Sequence, residues 1–201
     1  MNDYELSIVL LAAGSSSRMG TSKQLLKIGN ITLLEHAIQC AVESAAENTL
    51  IVLGAEVNQH RAAIQHLPVA IEVNADWAIG IGNSLKFGVH KVLELWPETQ
   101  ALIVMVCDQP KLTTHHVNAL IDVWRKDQPL AVASEYSDTT GVPALFDRAA
   151  FSDLLNISNS RGAREVLEKL DHQLIRVLFA GGEIDLDTPV DYQTYLKKGK
   201  V

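Results

Sequence analysis

The stretch that decides the fold is Leu6-Ser7-Ile8-Val9-Leu10-Leu11-Ala12-Ala13-Gly14-Ser15-Ser16-Ser17-Arg18-Met19-Gly20-Thr21-Ser22-Lys23-Gln24. Its first part, Leu6–Ala12, is a short apolar run bounded by glycine and serine, the pattern of a central parallel strand covered on both faces. The polar, glycine-bearing stretch 14–30 after it is too long for a simple turn, and loops of that length inside compact domains carry function or move. From Thr32 the periodicity becomes helical, with Leu34, Ala37, Ile38, Ala41 and Val42 on one face and Thr32 and Glu35 spaced as a capping box.

Working outward, strands are expected at 49–53, 69–73, 101–107, 130–134, 142–146 and 174–179. Helices are expected at 57–66, 83–95, 113–125, 149–155, 162–170 and 189–196, the last opened by Pro189. Strands alternating with helices give repeated βαβ units, hence a three-layer α/β/α Rossmann-like fold with a mostly parallel sheet. Such sheets receive ligands beyond the carboxyl ends of their strands, where strand order reverses. Three segments therefore matter, those immediately after Ala12, Val106 and Val73.

The 201 residues suit one compact domain spanning 1–201. Apolar residues at 47% and charged residues at 20% exclude wholesale disorder. Lys plus Arg number 17 against 24 Asp plus Glu, a net charge of −7, so a broad nucleic-acid or anionic-lipid surface is not expected. The longest apolar runs, 8–13 and 101–107, fall far short of the ~18 residues a membrane helix needs. Two acids precede the first run where a signal peptide carries bases, which with only Cys40 and Cys107 points to a reduced, cytoplasmic setting and to both cysteines as small buried hydrophobes.

After the first strand, small residues leave backbone N–H groups open to phosphate oxygens, and Arg18 and Lys23 add positive charge, an arrangement suited to a triphosphate. Neither a P-loop nor a dinucleotide fingerprint is present. A flexible surface loop with two solvated bases is the alternative. Asp108, in Asp108-Gln109-Pro110, ends the most strand-like run, where a magnesium ion held against phosphates has to sit; magnesium needs only one or two protein carboxylates besides phosphates and waters. Thr113 and Thr114 are better placed to cap the next helix.

Asp185 and Asp187 lie two apart on one face of an extended segment, and Asp187 suits either a second metal ligand or a cap for the helix Pro189 opens. In 74–85 the backbone amides and Ser84 are candidates for a substrate phosphate or polar ring, and Gly141 in Gly141-Val142-Pro143 for close backbone approach; ordinary turns fit both equally. His115 and His116 cannot share a helix face and have no partners at zinc spacing, and no G-x-S-x-G elbow supports a serine nucleophile.

The run Leu11-Ala12-Ala13-Gly14-x-Ser16-x-Arg18-Met19-Gly20-x-x-Lys23 resembles the nucleotide-binding signature of the molybdenum-cofactor nucleotidyltransferases, the MobA/MocA-like NTP transferases. The resemblance continues through Asp108-Gln109-Pro110, Gly141-Val142-Pro143-Ala144-Leu145-Phe146, Arg161-Gly162-Ala163-Arg164 and Asp185-Leu186-Asp187-Thr188-Pro189, nearly the whole chain. It implies that Leu11, Ala12, Ala13 and Gly14 hold base and ribose, that Arg18 and Lys23 bind the triphosphate, and that Asp108 with Asp187 binds Mg2+. It also implies that Gly82, Asn83, Ser84 and Gly141 line the acceptor side, with Arg18, Lys23 and Asp108 carrying the chemistry. Leu-Ala-Ala-Gly and the Asp-Thr-Pro ending are more like the cytidylyl-transferring members than the guanylyl-transferring ones, which tend to read Leu-Ala-Gly-Gly.

The implied reaction transfers CMP from CTP to a molybdopterin-type small molecule with release of pyrophosphate, the product passing to a molybdoenzyme. Two other functions remain open at this point. One is a guanylyltransferase or sugar-phosphate nucleotidyltransferase, which differs in base or acceptor; the other is an accessory protein that binds molybdenum cofactor without turnover.

Overall fold

Strand β1 (Leu6–Ala12) is central because all seven of its residues are buried, six of them apolar. The hydroxyl of the seventh, Ser7, is satisfied by Thr99 Oγ1 at 2.7 Å. In the computed structural model, which describes residues 4–198, a two-residue hairpin comes next, formed by β2 (Lys27–Ile28) and β3 (Ile31–Thr32). The remaining strands are β4 (Asn48–Leu53), β5 (Ala70–Val73), β6 (Ala101–Val106), β7 (Ala131–Tyr136), β8 (Thr139–Asp147) and β9 (Leu174–Leu178). The helices are α1 (Leu33–Val42), α2 (Val57–Ile64), α3 (Ile81–Leu95), α4 (Thr114–Asp127), α5 (Phe151–Leu155), α6 (Arg164–Leu170) and α7 (Pro189–Lys198).

Seven strands form one sheet in the order β5-β4-β1-β6-β8-β7-β9. β1 runs parallel to β4 and β6, β4 to β5, and β7 to β9; only β8 is antiparallel, to β6 and β7. The side chains of β1 divide between two apolar cores. Leu6, Ile8, Leu10 and Ala12 join the core under α1, α2 and α4, whereas Val9 and Leu11 join the one under α3, α5 and α6. The three-layer α/β/α expectation is thus met, and truncating one of the large side chains to Ala would cost about 2–5 kcal/mol.

Two expectations change. The loop after β1 contains a 3-10 turn over Lys23–Leu25 and the β2–β3 hairpin, elements too short to leave a periodicity. The strand expected at 142–146 begins instead at Thr139, paired with β7 through a tight turn whose Ser137 and Asp138 both adopt positive φ, 46° and 58°. That conformation suits a two-residue hairpin, but Ser-Asp lacks the glycine that normally announces it.

The caps were readable: Thr32 and Glu35 form a reciprocal capping box on α1, and Thr113 accepts from His116 N at 3.2 Å to start α4. Sequence order reverses between β1 and β6, which opens a crevice at their carboxyl ends between Gly14 and Asp108. Among the described residues no helix is long and apolar enough to cross a membrane.

Candidate functional site

The crevice is built by a loop folded back on its own strand. Gln24, almost completely buried, donates from Nε2 to Gly14 O at 2.8 Å and Ala12 O at 3.4 Å, while its Oε1 accepts from Ser16 Oγ at 2.8 Å and Ser22 Oγ at 3.0 Å. Ser16, held at φ 53°, also accepts from Lys23 N at 3.0 Å. These bonds replace the water that a free loop would use, and they aim Lys23 across the crevice.

The Lys23 ammonium meets Asp108 Oδ2 at 2.5 Å and Asp187 Oδ1 at 3.0 Å, and Arg18 Nη2 meets the other Asp187 oxygen at 2.7 Å. Asp187 reaches this place because Leu186 N donates to Asp108 O at 3.2 Å, tying 185–187 to the end of β6. Burial alone would lower the Lys23 pKa, but the charge and hydrogen bond of Asp108 outweigh it and hold the ammonium firmly protonated. Partial burial works to raise the Asp187 pKa, yet hydrogen bonds and charge from Lys23 and Arg18 keep it below the usual carboxylate range. Asp185 lacks such a partner, and desolvation together with Asp108 and Asp187 pushes it up to about 6.

Two cavities border this cluster and a third adjoins the first of them through Leu11, Ile81 and Val106. One lies under Leu11, Ala12, Ala13 and Gly14 and is bounded by Lys23, Trp77, Ser84 and Asp108. A second is lined by 14–18 with Lys23 and Asp187, and a third by Gly141 with Tyr136, Arg161, Arg164 and Asp185. The structure therefore brings Leu11, Ala12, Ala13, Gly14, Arg18, Lys23, Asp108 and Asp187 together. The cavity under Leu11–Gly14 has a mostly apolar wall and a charged mouth, a combination that suits a ring carrying a polyanion.

Other expected residues are placed differently. The Gly82 N–H, expected to be open, donates to Asn159 O at 2.8 Å, and a Cβ on Gly82 would collide with Ser158 O, so its role is close backbone approach. Asn83 Oδ1 and Ser84 Oγ accept from the buried Asn74 amide at 2.9 and 3.1 Å; of the two, Ser84 alone lines the Leu11–Gly14 cavity. Gly141 admits the Tyr136 hydroxyl, which a Cβ would displace. Asp187 is not the cap of α7: Thr188 and Asp191 form that capping box, Asp191 N donating to Thr188 Oγ1 at 3.3 Å and Thr188 N to Asp191 Oδ2 at 2.9 Å. Reading the sequence did not single out Gln24, Trp77 or Tyr136. A glutamine directly after the loop lysine, in a segment of small polar residues, was the available signal for the first.

The carboxylates test whether a divalent cation fits. Two oxygens from separate elements, Asp108 Oδ2 and Asp187 Oδ1, already converge on one positive charge. Among the described residues no group of three or more His, Cys, Asp or Glu side chains could hold a metal alone. Such a pair of hard donors fits Mg2+ completed by phosphate oxygens and water, and does not fit a closed all-protein cage.

Residues 8–174 match the model of the MobA-like NTP transferase domain. The chain is 29% identical over 197 residues to purine catabolism protein PucB of Bacillus subtilis, covering 92% of each chain. It is 27% identical over 194 residues to the molybdenum cofactor cytidylyltransferase of Escherichia coli, covering 94% of each. The structure superposes on Rv0371c of Mycobacterium tuberculosis with a TM-score of 0.84 at 25% identity, over 98% of this chain and all of that one. The two loop-held cations facing Asp108 and Asp187 thus have their family: the chain is a nucleotidyltransferase and belongs to the MobA-like NTP transferases.

Proposed function

We propose that the protein transfers CMP from CTP to the phosphate of a molybdopterin-type acceptor, releasing pyrophosphate. The observation that carries this reading is the convergence of Lys23 and Arg18 on Asp108 and Asp187 at the mouth of the Leu11–Gly14 cavity. In the free protein the bases are held by carboxylates; a triphosphate offers them competing oxygens and draws them outward. The alanine at position 13 and the Asp-Thr-Pro segment resemble the cytidylyl-transferring members, and the relative from Escherichia coli supports the same choice of base and acceptor.

An oxygen of the acceptor phosphate attacks the α-phosphorus in line. The new P–O–P bond forms as the bond to the β-phosphate breaks, and pyrophosphate leaves with the electron pair. Such a transfer asks a protein chiefly for positioning and charge neutralisation. Lys23 and Arg18 hold the β- and γ-phosphates and offset the charge that develops on the leaving group. Gln24 keeps the loop in register, and the Leu11–Gly14 segment seats base and ribose in the cavity beneath it. Asp108 and Asp187 would hold Mg2+, which when bound supplies Lewis-acid polarisation of the phosphate oxygens.

The test is a pyrophosphate-release assay with each of the four NTPs, Mg2+ and either molybdopterin or a sugar phosphate. CTP with molybdopterin is expected to give turnover. Release only with a sugar phosphate would move the acceptor assignment, and release with GTP in place of CTP the base assignment. Binding of molybdenum cofactor with no release from any nucleotide would make the protein an accessory carrier instead.

A further inference from the structure

The Lys23 ammonium sits between two carboxylates brought together from distant parts of the chain, Asp108 just after β6 and Asp187 just before α7. Its hydrogen bonds, 2.5 Å to Asp108 Oδ2 and 3.0 Å to Asp187 Oδ1, place one positive charge at the point where the two acids converge. Arg18 takes the remaining Asp187 oxygen at 2.7 Å. The same two acids are the pair that fits Mg2+, so the ammonium and a metal ion compete for one position.

That competition is unequal in the free protein. The Lys23 and Asp108 side chains are only 19% and 18% exposed, so their attraction is screened far less than that of a surface pair such as Arg18 with Asp187. A divalent cation arriving alone has to drive the ammonium away from its partners in a sheltered setting, which is costly. It gains only two protein carboxylates in exchange for water that Mg2+ gives up reluctantly. A polyphosphate alters both sides of the balance, because its oxygens supply further hard donors to the metal and a new anion to the ammonium. Lys23 has room for the move. Its backbone N–H is fixed to Ser16 Oγ at 3.0 Å, while its flexible side chain borders both the Leu11–Gly14 cavity and the one lined by 14–18 and Asp187.

We propose that Lys23 doubles as an internal counter-ion that keeps a divalent cation off Asp108 and Asp187 until a nucleoside triphosphate draws the ammonium away, so that metal and nucleotide enter together. A monophosphate, which lacks the β- and γ-phosphates, leaves the ammonium in place. The coupling is reciprocal, each ligand raising the affinity for the other. The proposal rests on the nucleotide-binding reading above and concerns the same site, but it is tested by metal binding, without turnover.

The probe is Mn2+, titrated by electron paramagnetic resonance with thermal melting in parallel. Native protein alone takes up Mn2+ weakly, and its melting temperature barely moves. Lys23→Met, which keeps an unbranched side chain and removes the charge, binds Mn2+ alone at least about tenfold more tightly, and added metal restores the melting temperature that the substitution lowers. Lys23→Arg keeps the uptake weak, and Lys23→Met/Asp187→Asn loses the gain. With native protein, α,β-methylene-CTP raises Mn2+ uptake at least about tenfold over a protein-free blank, whereas CMP does not. Native protein that binds Mn2+ alone as tightly as Lys23→Met, or a Lys23→Met that gains nothing in either measurement, would overturn the proposal. A gain in Lys23→Met with no response of the native protein to the methylene analogue of any of the four NTPs would leave the internal counter-ion standing and remove the nucleotide reading instead.

Discussion

Two polar constellations in this molecule use similar distances and do opposite things. At the mouth of the crevice, Lys23 bridges Asp108 and Asp187 at 2.5 and 3.0 Å, half-buried and open to two cavities. Inside the core under α4, His116 Nε2 lies 2.7 Å from Ser134 Oγ, a spacing that on its own suggests an activated serine. Ser134, however, donates onward to Pro143 O at 2.6 Å, so its proton is committed and the imidazole is its donor. His116 also stacks on Phe179 with centroids 4.4 Å apart, and both His116 and Ser134 are buried. The inner pair is sealed and hydrogen-bonded, and therefore contributes stability and register. The outer one holds charges in pairs that an incoming polyanion can re-partition.

The comparison breaks first at Asp108. Asp108→Ala should lower pyrophosphate release by about 10³-fold, the scale of losing one preorganised electrostatic group, while circular dichroism stays native. Near-normal turnover in the folded variant would show that the outer cluster is structural after all. Lys23→Ala should reduce kcat/KM for the nucleotide by about 10²-fold, because it removes charge that acts on the leaving group. Steady-state kinetics with kcat and KM both unchanged would remove Lys23 from the reaction.

The inner network should answer in stability. Ser134→Ala leaves Pro143 O and the imidazole N–H buried without their partner, which should cost about 1–3 kcal/mol in urea unfolding with kcat unaltered. A fall in kcat at native stability would reverse the distinction drawn between the two networks.

The pH dependence rests on His116, whose pKa burial pushes down to about 4 from an ordinary 6.5. The unfolded chain then binds more protons than the folded one between those values. Stability is full above pH 6.5 and falls as pH drops towards 4, by about 2 kcal/mol at pH 5. Asp185, raised to about 6, acts with the opposite sign, since its protonation on acidification relieves a strained folded state. His116→Gln should flatten the acid loss and Asp185→Asn should steepen it; denaturant midpoints across pH 4–7 read both.

Arg18→Ala should give the smallest change. Its side chain is 72% exposed, so losing the pair with Asp187 should shift stability by less than about 1 kcal/mol, while the KM for nucleotide rises several-fold.

The strand run Leu6–Ala12, the Thr32 and Glu35 capping box and the loop bases Arg18 and Lys23 were legible because each depends on residues close in sequence. The same was true of Asp108 at a strand end. The sequence also named Gly82, but for an amide that in the fold belongs to Asn159, a partner 77 positions away. Gln24 was passed over because its four hydrogen-bond partners appear only once the loop folds back onto β1.

What the chain determines by itself is therefore periodicity, caps and the presence of two bases after the first strand, Asp108 at a strand end and two acids just before the last helix, all readable from residues close in sequence. Only the tertiary structure decides that β8 enters the sheet antiparallel between β6 and β7, since strand order depends on which apolar faces bury together. Tertiary contacts also separate Lys23 with its carboxylates from His116 with Ser134, because whether a polar group is sealed or open depends on what the rest of the chain packs over it.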